Sequence, residues 1–198
     1  MKILTRIRTV ENKDSLTTKF QSFMFKKMFL LGTISAALLF TACEKDSDGD
    51  LINGLNETDQ NFTAAAARSN TAEIQLSQLA LDNTINDTIR AYAQMMIDQH
   101  QMAQDELDSI ASSVHFDIPH DVDQAHLDLK ARLDTLNGYS FDTAFLNSQL
   151  VDHMATINLL QNQTTAGENA GLKNYASKYL PIVQGHRSMA DSILNLIQ

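Results

Sequence analysis

The chain has 198 residues, 43% hydrophobic and 20% charged, which is room for one packed domain plus a targeting segment and too apolar for a disordered chain. Seven Gly, two Pro and no Trp leave little turn material for a sheet-rich fold, so helices are expected. The formal net charge of −9 becomes −14 (eight basic and 22 acidic residues) once residues 1–42 are set aside; with no basic stripe in the remainder, nucleic acid is disfavoured as a ligand.

Residues 1–23 read as an upstream extension, because Met24 stands just before Lys26-Lys27 and the apolar run Met28 to Ala42. A basic pair, an apolar run and the ending Thr41-Ala42-Cys43 are the layout of a secretory signal over 24–42. The run is 15 residues long, short of the roughly 20 that cross a bilayer. Leu39-Phe40-Thr41-Ala42-Cys43 resembles a lipobox, whose cysteine takes a diacylglycerol before the signal is cut; Phe40 stands where Leu is commoner. Cys43 is the sole cysteine, so no internal disulfide competes for it. Acyl chains there would anchor the protein at about 0.8 kcal/mol per buried CH₂. The expected location is therefore the cell envelope, as an outer membrane lipoprotein facing the periplasm or the surface. Residues 43–56 follow as the lipidated cysteine and an acidic tether (Glu44-Lys45-Asp46-Ser47-Asp48-Gly49-Asp50), and 57–198 as the folded domain.

Within that domain apolar residues recur at spacings of three and four, the helical period. A first helix over about 58–82 carries Phe62, Ala66, Ser69, Glu73, Leu76 and Ala80 on one stripe, with Leu79 beside it, and breaks at Asp82-Asn83-Thr84. A second, over about 87–113, follows the N-cap Asn86 with Ile89, Ala93, Met96, His100, Ala103, Leu107 and Ile110, and ends before Phe116-Asp117-Ile118-Pro119. A shorter segment over about 121–136 bears Val122, Ala125, Leu129 and Leu133 and stops at Asn137-Gly138, as a crossover would. The third long helix, about 141–163, starts after Ser140 with Leu146, Leu150, His153, Ile157 and Leu160; the loop Thr164 to Ala170 follows. The last, about 171–197, carries Leu172, Ala176, Tyr179, Val183, His186, Met189, Ile193 and Leu196, with a kink expected at Pro181. The fold class is all-α: two helical hairpins joined by a crossover, a ferritin-like four-helix bundle. The halves echo each other weakly, Ile89 to Gln94 against Leu172 to Ser177.

Each long helix puts one metal-competent residue on its apolar stripe: Glu73, His100, His153 and His186. Glu73 and His153 precede a hairpin loop by similar distances and His100 and His186 follow one, so the pairs reach similar levels to within about one helical turn. Three imidazoles and a carboxylate could hold zinc, iron or another divalent transition metal. The other account is that the histidines are half-buried core residues satisfied by carbonyls, carboxylates or water, with Glu73 paired to one of them and the four hydrogen-bonding one another. The Glu-x-x-His pairs of di-iron bundles are absent, since Ile97 and Val183 stand three residues before His100 and His186. His115, His120 and His126 read as surface residues, and Met95, Met96, Met102, Met154 and Met189 as core filler. No Gly-x-Ser-x-Gly or Gly-rich phosphate loop supports nucleophilic or nucleotide chemistry, so the reading leans away from an enzyme.

Four stretches carry a family resemblance: Thr71 to Leu76, Ala91 to His100, Asp152-His153, and Tyr175 to Pro181 leading to His186. Over Asn61 to Leu194 the chain resembles a family of exported bacterial proteins of unknown function (domain of unknown function 4142), often labelled outer membrane proteins. The resemblance implies a ferritin-like bundle and no established activity. Two functions stay open: a lipid-anchored envelope module that binds a partner or ligand, and a metal-binding protein of metal handling or oxidative-stress defence.

Overall fold

The computed structural model describes residues 54–198. The expected upstream extension, signal peptide, Cys43 and nearly all of the tether lie outside them. The described residues form five helices: α1 (Glu57–Asn83), α2 (Asp87–Ser113), α3 (Gln124–Asp134), α4 (Gly138–Ala166) and α5 (Ala170–Ile197). Among the described residues, no helix is long and apolar enough to cross a membrane.

Short polar side chains start most of these helices. Asn56, Asn86, Asp123 and Asn169 each accept a hydrogen bond from a backbone N–H of the first turn, so donors that a helix start leaves unpaired are satisfied locally. The expected cap Asn86 is in place, and α2 covers the predicted 87–113. α4 begins differently. Asn137 makes no side-chain cap bond and Gly138 turns the chain at φ +53°, a left-handed value that glycine adopts without strain. Asn137-Gly138 is thus the entrance to α4 rather than the end of the crossover helix. α3 already stops at Asp134, where the Thr135 and Leu136 N–H groups close the last turn on Arg132 and Leu133 carbonyls.

The predicted loop Thr164 to Ala170 contracts to 167–169. Thr164 and Thr165 hydroxyls bond back to the Gln161 carbonyl, a contact that leaves them helical, and α4 runs on to Ala166. α5 passes through Pro181 as one helix. From His186 onward its buried residues are His186, Ala190, Ile193 and Leu194, so Met189 and Leu196 face outward, contrary to the three-four spacing read from sequence. Met102 and Met154 are likewise exposed, whereas Met96 is fully buried.

α1 packs on α2 and α4 on α5, as two antiparallel hairpins with three-residue turns; α1 also lies against α4 and α2 against α5, while α3 crosses over α1 and α4. The apolar interior has two halves. One gathers Leu76, Tyr92, Met96, Phe145 and Ile193 around the C-terminal end of α1; the other gathers Phe62, Leu107, Leu160, Tyr175 and Val183 around its N-terminal end. Between them lies a buried polar layer that crosses all four long helices.

Candidate metal centre

The polar layer contains His100 from α2, His153 from α4 and His186 from α5, exposed by 3%, 1% and 3%. Their ring centroids are 5.3–5.8 Å apart, and one ring nitrogen of each lies within 4.8 Å of the others. Zinc–nitrogen bonds are about 2.0–2.1 Å, so a span of 4.8 Å leaves each ring to close by less than about 1 Å around a shared ion.

Hydrogen bonds fix the tautomers. His100 Nδ1 faces Asn70 Oδ1 at 3.0 Å, His153 Nδ1 faces the Gln149 carbonyl at 2.8 Å, and His186 Nε2 faces Gln99 Oε1 at 2.6 Å. All three partners are acceptors, so each of these nitrogens carries the proton. The remaining nitrogens, His100 Nε2, His153 Nε2 and His186 Nδ1, are lone pairs, buried and without a hydrogen-bond partner. Burial lowers the affinity of all three rings for a second proton: His100 falls well below the usual histidine range, His153 to about 4, and His186 to about 4 with His153 adding repulsion. At neutral pH all three are uncharged donors of an electron pair, the form a metal takes.

Glu73 is in the layer but not in the ligand cluster. Its Oε1 is 3.5 Å from His153 Nδ1, the nitrogen already bonded to Gln149, and its Oε2 accepts from Gln149 Nε2 at 2.9 Å. It stands behind His153 as an outer carboxyl group. Burial, with Asp152 adding repulsion, raises its carboxyl to about 8. The three histidines do not hydrogen-bond one another: each bonds to a different amide or carbonyl oxygen, and of the four only Glu73 and His153 approach as a pair. Gln149 is the hub of this side, since its Oε1 also accepts from the Tyr92 hydroxyl at 3.2 Å.

Asn70, Gln99 and Gln149 carry no signal in the chemistry-bearing residue types of the sequence. Gln149 could have been found as the residue one helical turn before His153, and Asn70 as the residue three before Glu73. His115 and His120 are exposed as expected. His126 is not: it is half-buried, with Nδ1 2.8 Å from Asp123 and Nε2 4.0 Å from Asp152, because α3 lays that side chain against α4. It borders a groove of about 550 Å³ between α1 and α4.

A family model described as a domain of unknown function (DUF4142) matches residues 51–193. No curated protein matches the chain. Among solved structures, a DUF305 fragment from Deinococcus radiodurans is similar at a TM-score of 0.65 and 12% identity, over 71% of this chain and 97% of that one. At that identity the likeness concerns the fold.

Proposed function

The chain belongs to the DUF4142 family, a domain of unknown function, and from that premise we propose that its helical domain binds one divalent transition metal through His100, His153 and His186. The observation that carries this reading is that three buried, neutral imidazoles bring one nitrogen each within 4.8 Å of the others, while each ring has one nitrogen without a hydrogen-bond partner and the opposite one held by Asn70, Gln149 or Gln99. A buried polar atom without a partner is costly, and three in rings this close together are accounted for by a shared cation. Imidazole donors suit zinc, copper, iron or nickel and not the oxygen-seeking magnesium or calcium. Zinc leads because three histidines with one position left open match its non-structural sites.

Elemental analysis of the purified full chain tests this. About one metal per chain is expected, lost in a His100→Ala/His153→Ala double variant and kept in His120→Ala. Wild type that neither retains nor takes up zinc, copper or iron would refute the reading.

The same proposal includes the ferritin-like arrangement, supported by the α1–α2 and α4–α5 hairpins and the intervening α3. It also includes a lipid anchor on Cys43, supported by the basic pair, the 15-residue apolar run and the single cysteine that closes it. Cys43→Ala is expected to move the protein from the membrane fraction to the soluble one or to leave its signal uncut. A Cys43→Ala protein that is processed at the same place and stays membrane-bound would remove the anchor.

A further inference from the structure

The core is unequal on the two sides of the three rings. Toward the C-terminal end of α1 they rest on Glu73, Gln149 and Tyr92, buried side chains that are hydrogen-bonded in series and fill that side. On the opposite side, one to two helical turns along each helix, lies a narrow cavity of about 20 Å³ bordered by His100 and His186 and walled by Ala66, Ala103, Leu160 and Val183. That volume holds roughly one water-sized molecule.

We propose that this cavity brings a small exogenous ligand, of about one to three non-hydrogen atoms, to the metal's open coordination position and excludes organic substrates. The inference rests on the metal reading above. Three side-chain donors leave a four-coordinate ion one position, and the packed Glu73–Gln149–Tyr92 side offers no room for it. Apart from the histidines, the cavity lining is aliphatic side chains together with the uncharged polar Asn70, Gln99, Thr156, Tyr175 and Tyr179, so it offers an entering molecule no charged group and the metal is its strongest contact. The nearby Tyr175 and Tyr179 oxygens are engaged by Asn70 and Glu106, at 3.1 and 2.9 Å. Thr156 borders both this cavity and the α1–α4 groove, and its hydroxyl meets Ser69 at 3.0 Å, so the wall between solvent and cavity is one side-chain pair thick there.

The test uses the full chain loaded with Co²⁺, whose visible absorption reports its coordination, titrated with azide and with imidazole. Wild type is expected to respond to azide and not to imidazole. Ala103→Leu, which fills the cavity, is expected to keep its Co²⁺ and to weaken azide by at least about tenfold. Leu160→Ala, which enlarges it, is expected to gain a response to imidazole; this arm decides the matter if Ala103→Leu does not fold. Wild type that holds Co²⁺ but ignores azide, or that takes imidazole as tightly as azide, overturns the ligand inference and leaves the metal site standing. Wild type that takes up no Co²⁺ overturns both.

Discussion

Saturating Zn²⁺ is expected to raise the melting temperature of the full chain by about 8–16 °C. A ligand that binds only the folded state stabilises it by about 4 kcal/mol at a thousand times its dissociation constant, and a domain of this size gains roughly 2–4 °C per kcal/mol. The effect should be near that limit because the three donors are far apart in sequence, at 100, 153 and 186, and converge only in the fold. The unfolded chain offers no equivalent site. His153→Ala should abolish the zinc-dependent rise, whereas Asn70→Ala, which frees the His100 ring to rotate, should weaken zinc by about 10- to 100-fold and keep part of it. Calorimetric scans with zinc and with chelator decide this; a His153→Ala protein that melts higher with zinc by as much as wild type would contradict it.

The second large effect lies away from the metal layer, at Asp59. This carboxylate is fully buried at the start of α1 and holds the turn between α4 and α5: Oδ1 accepts from Gln163 Nε2 at 2.6 Å and the Glu168 N–H at 3.2 Å, and Oδ2 accepts from the Asn169 N–H at 3.0 Å. Asp59→Ala leaves three donors without this acceptor, one of them deep in the core. At about 1–3 kcal/mol for each buried donor left unpaired, the expected loss is about 3–5 kcal/mol. Asp59→Asn keeps an acceptor oxygen and should cost less. Denaturant unfolding gives the difference, and hydrogen exchange should show the Glu168 and Asn169 amides opening first; a loss below about 1 kcal/mol would show that water replaces the carboxylate. Gly167 belongs to the same joint, since a Cβ there would come within 2.2 Å of the Gln163 amide that Asp59 holds.

These two sites show where a linear chain is readable. Helices α1, α2 and α5 lie close to the ranges given by spacing, because a 3.6-residue period and an Asn cap act within a few residues of themselves. Where a boundary moved, a distant contact or a local bond outside the pattern moved it. Asp59 reaches across to 168 and 169 and stands beside a turn shorter than the sequence indicates, and the Thr164 and Thr165 hydroxyls keep the end of α4 helical. Met189 and Leu196 lie on a three-four spacing yet face solvent, since the choice between neighbouring apolar stripes belongs to whichever helix packs alongside.

The candidate site divides in the same way. That His100, His153 and His186 lie on inward stripes follows from periodicity, and so does the rough agreement of their levels, because rise per residue is constant along a helix. Which of each ring's two nitrogens is spent on Asn70, Gln149 or Gln99, and which is left without a partner, depends on side chains supplied by α1, α2 and α4 and on rotations that spacing does not encode. The displacement of Glu73 to the far side of His153, and the cavity opposite it, arise only when four helices close around one another. Local periodicity thus limits which residues can turn inward, and long-range packing decides which stripe is buried and which atoms meet.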